Sequence, residues 1–376
     1  MHGNLYPAHF NHLLPSIQTG CPCSIKTKRS TTVRDWIRIK VKGLRKCSTS
    51  ASSSEKEACA IPALFVFGDS WVDSGNAKYM GNPNPSSAYG VDFKVDNQSR
   101  ATNGKTMADF IAQTFGLPLP PPFLSLKNSE SIQFGANYAS SGCGILPEIK
   151  QYTFGNCMVL DEQIELFKSS VKNLRNTDGL SKSLIFINMG QNDIDLNKKM
   201  QYNASLDMGQ YLAEPLSKRL QLLYDLGGRK FLVSNVLPLG CRPFSISQEK
   251  PTTRCVERLN KLASQFNSYL PEMLKDLQST LSGSKFVLLD VYKVFEDVFS
   301  KPASYGISDI SHSCCAIDSV KHIPICKNGE VCSDRNQYAF FDEIHPTEVM
   351  NSIMISRCLK DSSVCKPINL MKLVKA

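Results

Sequence analysis

No stretch of the 376 residues approaches the about 20 consecutive apolar residues that a membrane-crossing helix needs. Basic charge is missing from most of the chain as well. The net charge is +9, but residues 1–54 hold nine Lys or Arg against the single acid Asp35, so the remainder is close to neutral. A nucleic-acid-binding face, which needs clustered cations, is therefore excluded. Histidine is scarce: of six, His2, His9 and His12 fall in the first 59 residues. A histidine base can then come only from His312, His322 or His345. The C-x2-C ligand pairs of structural zinc sites are absent too, and no metal or other cofactor is expected.

The basic charge belongs to residues 1–59, which show no apolar periodicity and run into the serine-rich stretch Ser48–Ser54. They contain no apolar core of the secretory-signal kind. Their basic, Ser-rich and acid-poor composition fits an organellar transit peptide, as for a plastid, and fits a disordered extension equally. On either reading one domain spans residues 60–376 and the tail contributes nothing to its chemistry.

Cysteine is plentiful by contrast. Of fourteen, ten lie beyond residue 59, an even set that indicates disulfides and an oxidising compartment. The sequons at Asn97 and Asn203 fit that compartment. Cys241 ends a strand-like segment and Cys255 opens the following helix, so these two are expected to pair. The mixed segment His312, Cys314, Cys315, His322, Cys326 and Cys332 also reads as disulfides rather than as a metal site.

Five apolar or near-apolar runs read as strands: Ala63–Phe67, Ser131–Tyr138, Ser183–Met189, Lys230–Val236 and Lys285–Val291. Helical patterns alternate with them at Thr106–Phe115, Asp161–Lys172, Ser205–Leu226 and Arg254–Leu281. Strands buried on both faces and separated by helices predict a parallel sheet in a three-layer α/β/α sandwich. Gly116–Leu124 is too rich in proline for either element and is expected as a surface loop.

Open parallel sheets carry their chemistry at the carboxyl ends of the strands. After the first strand comes Gly68-Asp69-Ser70, where a serine at the start of a helix would have its N–H aimed at a developing oxyanion. After the second lies the small-residue stretch Asn137–Gly144, in which Gly142 lets the backbone approach a ligand. After the third, the Asn192 amide of Gly190-Gln-Asn192-Asp193 could donate into the same space. Near the C-terminus Asp342 stands three residues before His345, close enough to turn back onto its ring and fix the tautomer. Each motif alone is also an ordinary turn or helix cap. Their order along successive strand ends is not ordinary.

Six blocks in this order resemble the plant GDSL esterase/lipase family of the SGNH hydrolases: Phe65–Ser70, Ser99–Thr106, Asn137–Ile145, Gly190–Asp193, Pro238–Cys241 and Phe341–Thr347. The resemblance runs from about Ile61 to the C-terminus. It implies a flavodoxin-like fold with a five-stranded parallel sheet, a triad of Ser70, Asp342 and His345, and an oxyanion hole made by Ser70, Gly142 and Asn192. Trp71 and Ser141, where the family has Leu and Gly, would border that site. The expected activity is carboxylic-ester hydrolysis through an acyl-serine, by a monomer acting on a small-molecule or lipid acyl ester. An acyltransferase using the same intermediate, and a binding protein on a retired scaffold, are the alternatives. The resemblance and the cysteine content imply secretion, while the tail composition leaves the plastid open.

Overall fold

The computed structural model describes residues 61–376 apart from 83–85, 94–99, 128–131, 154, 173–177, 197–206 and 319–322. The tail, both sequons and His322 lie outside the described residues.

Four of the apolar runs form parallel neighbours in one sheet, in the order β1 (Leu64–Gly68), β2 (Leu184–Asn188), β3 (Lys230–Ser234) and β4 (Lys285–Leu289). The register aligns Phe65, Ile185, Phe231 and Phe286 in one row. Side chains alternate across a strand, so these four share a face, and Leu64, Phe186, Leu232 and Val287 lie on or near the other. Both faces are buried, which is why the runs are continuously apolar rather than alternating.

Helices cover each face. The first helices are α1 (Met107–Thr114), α2 (Leu160–Val171), the short α3 (Gln191–Asp195) and α4 (Met208–Asp225). They are followed by α5 (Glu257–Thr280), α6 (Val291–Ser300), α7 (Glu348–Lys360) and α8 (Leu370–Lys375). Phe167 of α2 meets Phe65 and Phe67 edge-on, and α4 packs on α2 and α5 in the same layer. On the opposite side α1 packs on α7, and α7 on α8. Thr106 and Asp109 close a capping box at the start of α1, and Thr347 caps α7.

The sheet departs from five regular parallel strands in two places. Its fifth member is the two-residue Cys365–Lys366, antiparallel to β4. The run predicted as a strand at Ser131–Tyr138 does flank β1: Leu64 N donates to Phe134 O, Val66 N to Ala136 O and Tyr138 N to Val66 O. Among its described residues, however, it forms ladder bridges only at Asn137. There the chain is shared with the proline-rich loop, since Asn137 N donates to Pro121 O and Phe123 N to Asn137 O. That loop thus covers what would be an open sheet edge, using prolines that have no N–H to leave unpaired.

Beyond α6 the chain builds a small β layer: β5 (Asp309–Ser313) pairs with β8 (Tyr338–Phe340), and β6 (Cys315–Asp318) with β7 (Ile323–Val331). With Cys365–Lys366 as β9, every cysteine beyond residue 59 is paired: Cys143–Cys157, Cys241–Cys255, Cys314–Cys332, Cys315–Cys326 and Cys358–Cys365. The expected Cys241–Cys255 bridge is among them, with Cα atoms 4.5 Å apart. The thiols of the mixed Cys/His segment are consumed in disulfides, and His312 sits beside Asp309.

Candidate active site

Ser70 stands directly past the end of β1. Gly68 makes the turn possible: its φ is +157°, and a Cβ there would lie 2.4 Å from Asn188 O and 2.5 Å from Val72. The Gly68 peptide is held on both sides by Gln163 of α2, whose Oε1 accepts from Gly68 N and whose Nε2 donates to Gly68 O, each at 2.9 Å. No long helix follows the serine, contrary to the sequence expectation. Val72 N and Asp73 N close a single turn onto Asp69 O. The Asp73 carboxylate then captures Gly75 N and Asn76 N, so the chain continues only as the short 3-10 helix Asn76–Met80. Any local positive field at Ser70 comes from that one turn.

His345 reaches the serine from the far end of the chain. Its Nε2 lies 2.7 Å from Ser70 Oγ, and its Nδ1 lies 2.7 Å from Asp342 Oδ2. An ionised carboxylate only accepts, so the Nδ1 proton must point at Asp342, leaving Nε2 free to take the serine proton. The Asp342 carboxylate is fully engaged: Oδ1 accepts from Ile344 N and His345 N, while Oδ2 accepts from His345 and from Tyr89 OH at 2.6 Å. The loop that carries the pair is pinned outside itself as well. Phe341 N donates to His345 O, Thr102 Oγ1 donates to Pro346 O, and Asn103 Oδ1 accepts from Glu348 N. The block around Thr102 and Asn103 thus anchors the histidine loop.

Gly142 and Asn192 lie on two segments that hydrogen bonds tie to each other. Gly142 has φ +86° and almost open space where a Cβ would stand. Among the described residues, neither Ser70 N–H nor Gly142 N–H has a hydrogen-bond partner. Asn192 sits in the first turn of α3 and donates one amide hydrogen to Cys143 O at 2.9 Å; its second hydrogen has no partner among the described residues. Three connections hold this arrangement. Asp193 accepts from Ile145 N and Leu146 N; Asp73 Oδ2 accepts from both N–H and hydroxyl of Ser141; the Cys143–Cys157 bridge closes the loop behind. Arg242, fully buried, clamps the other end of α3 through two bonds to Asp195.

The structure joins Ser70, His345 and Asp342 in one hydrogen-bonded line and ties Asn192 to Cys143, the neighbour of Gly142, while His312 is exposed and belongs to a surface pair with Asp309. Ser141 is bonded to Asp73 on the turn after Ser70, whereas Trp71 turns inward. Its indole is buried against Phe295 of α6, so the Leu-to-Trp difference faces the core. Sequence reading missed Tyr89, Gln163, Asp73 and Arg242. Only Gln163 left a signal, as a polar residue on the apolar face of α2 that carries Leu160, Ile164 and Phe167.

Several buried carboxyls surround the centre. Burial pushes Asp69 up to about 7, against the opposing pull of the Trp71 N–H and of His345. Burial likewise raises Asp193 to about 6, with the Ile145 and Leu146 N–H groups holding it down. Both support backbone next to the site without touching Ser70 Oγ.

The profile of GDSL-like Lipase/Acylhydrolase proteins matches residues 64–358. A GDSL esterase/lipase of Arabidopsis thaliana is 37% identical over 336 residues, which cover 83% of this chain and 85% of the relative. GDSL esterase/lipase 7 of the same plant is 36% identical over 341 residues, covering 84% and 92%. A solved acetylxylan esterase from Geobacillus stearothermophilus overlaps far more loosely, with 11% identity, TM-score 0.35 and coverage of 78% and 90%.

Proposed function

Since the chain belongs to the GDSL lipase/acylhydrolase family, we propose that Ser70 is its nucleophile, His345 the base and Asp342 the base's anchor. The family's chemistry is ester hydrolysis through an acyl-serine. The observation that carries the residue assignment is the continuous line Ser70 Oγ, His345, Asp342, with 2.7 Å at each step. Attack on an ester carbonyl moves the Ser70 proton to Nε2, and the resulting imidazolium is stabilised by Asp342. The oxyanion takes hydrogen bonds from Ser70 N–H, Gly142 N–H and the spare Asn192 hydrogen, donors that have no other partner among the described residues. The imidazolium then protonates the leaving alcohol, and water repeats the sequence in reverse to release the acid.

Small-molecule or lipid acyl esters are the proposed substrates. Among the described residues no helix is long and apolar enough to cross a membrane. The five disulfides and the plant relatives support a secreted protein.

A shared acyl-enzyme is directly testable. Esters of one acid with several different alcohols, hydrolysed in the presence of a fixed concentration of added methanol, should all yield the same ratio of methyl ester to free acid. The ratio belongs to the intermediate, which no longer contains the original alcohol. A ratio that varies with the leaving alcohol would contradict a common acyl-serine. An outcome dominated by methyl ester would instead favour acyl transfer as the main activity.

A further inference from the structure

Tyr89 lies outside every motif that the catalytic reading uses, yet its hydroxyl is 2.6 Å from Asp342 Oδ2, the same oxygen that receives the His345 proton. The phenol oxygen in turn accepts from Cys326 N at 3.2 Å. Cys326 belongs to β7, which the Cys315–Cys326 bridge ties to β6. The turn bearing Tyr89 docks on the same strand a second time, through Ser86 Oγ donating to Lys327 O at 2.8 Å. Tyr89, Cys315, Cys326 and Phe341 share one small buried cluster, with the Tyr89 ring edge-on to Phe341, the residue before Asp342.

We propose that Tyr89 is a positioning residue for the Asp342 carboxylate, and that the disulfide-closed hairpin of β6 and β7 holds Tyr89 in place. The proposal rests on the assignment of Asp342 as the anchor of His345. Two backbone N–H groups fix only Oδ1, and a carboxylate held at one oxygen can turn the other away from the imidazole. The Tyr89 hydroxyl supplies the second fixed point. Burial, reinforced by the Asp342 charge, holds the phenol well above its usual range, so it remains a donor wherever the enzyme works. A side chain present only to fill the cluster would need its ring and not its hydroxyl.

Tyr89→Phe keeps the ring and deletes the hydroxyl. With the disulfides intact, kcat on a short acyl ester should fall about tenfold while KM changes less than about twofold, because the lost bond acts on the transition state rather than on substrate binding. The thermal midpoint should stay within a few degrees. The acid limb of the kcat/KM profile should move up in pH, since the Asp342 charge facing His345 is no longer shared with a donor. The other groups that face this pair, Asp69 toward His345 and Glu343 toward Asp342, are unchanged in the variant. A Cys315→Ala, Cys326→Ala variant should lose kcat in the same sense, and adding Tyr89→Phe to it should cost little more, as expected for groups acting in series.

Wild-type kcat and an unmoved acid limb in Tyr89→Phe would overturn the proposal. So would full multiplication of the two losses, which would make the hairpin and the tyrosine independent. If the cysteine variant does not fold, the Tyr89→Phe result decides alone. Failure of the triad itself would look different, as full activity in Ser70→Ala.

Discussion

Ser70→Ala and His345→Ala each bring turnover of a short acyl ester to a small residue of the wild-type rate, by a factor on the order of 10^6 in kcat if the groups act as one unit. The geometry explains the equality. Ser70 Oγ is hydrogen-bonded to His345 Nε2, so removing either leaves an alcohol without a base or a base without an alcohol. Combining the two should therefore cost little beyond one. The comparison that gives the result meaning is Asn192→Ala, which deletes one of the three proposed oxyanion donors and should cost only about 10^2–10^3. The assay is steady-state hydrolysis, with circular dichroism and the thermal midpoint showing that each variant folds. Near-wild-type turnover by Ser70→Ala would remove the assignment.

Asp342→Asn should lower kcat by about 10^4 with little change in fold, the loss known for the equivalent change in a serine protease triad. The direction follows from the partners of the carboxylate. Oδ1 accepts from Ile344 N and His345 N, so an Asn must put its carbonyl oxygen there. Its NH2 group then faces His345 Nδ1 and donates to it, which moves the ring proton to Nε2 and aims an N–H at Ser70. A histidine in that tautomer cannot accept the serine proton. Tyr89 OH, which already accepts from Cys326 N, then accepts the second amide hydrogen and loses the acceptor of its own proton, a cost of about 1–3 kcal/mol that the fold should survive. Activity is read against a thermal midpoint within a few degrees of wild type. A kcat within tenfold of wild type would mean that His345 is oriented by something other than Asp342.

The parts of the molecule legible in the sequence are those in which one local pattern has one physical outcome. A continuous apolar run closed by Gly68 can hardly be other than a doubly buried strand, and four such runs stand in register. Ser70, Gly142 and Asn192 stand out as candidates because a parallel sheet presents its strand ends at one edge, and His345 because few histidines remain to choose from. Cys241 and Cys255 were readable since one follows a strand and the other starts the adjacent helix, which limits their separation. The remainder depends on contacts between distant segments. Asn137 bridges both β1 and Pro122, so its segment is neither loop nor full strand, and its composition does not say so. β5 and β8 are short and irregularly paired, and carry no alternation to detect. Tyr89 meets Asp342 across 253 positions of chain, Asp73 meets Ser141 across 68, and no periodicity encodes either meeting. The turn after Ser70 reads as a helix start for a related reason: Asp73 ends it by capturing two N–H groups, and a cap placed early looks in sequence like the start of a helix.

Covalent labelling tests whether Ser70 is a nucleophile activated by His345, without reference to any natural substrate. A fluorophosphonate reacts with a serine only when a base withdraws the proton as the bond to phosphorus forms. Incubated with the full-length enzyme and mapped by mass spectrometry after digestion, it should add one equivalent to the peptide bearing Ser70. His345→Ala should take up almost none in the same time, and activity in the wild type should fall in step with labelling. An adduct on a different serine, or complete inactivation with Ser70 unmodified, would rule out Ser70 as the nucleophile.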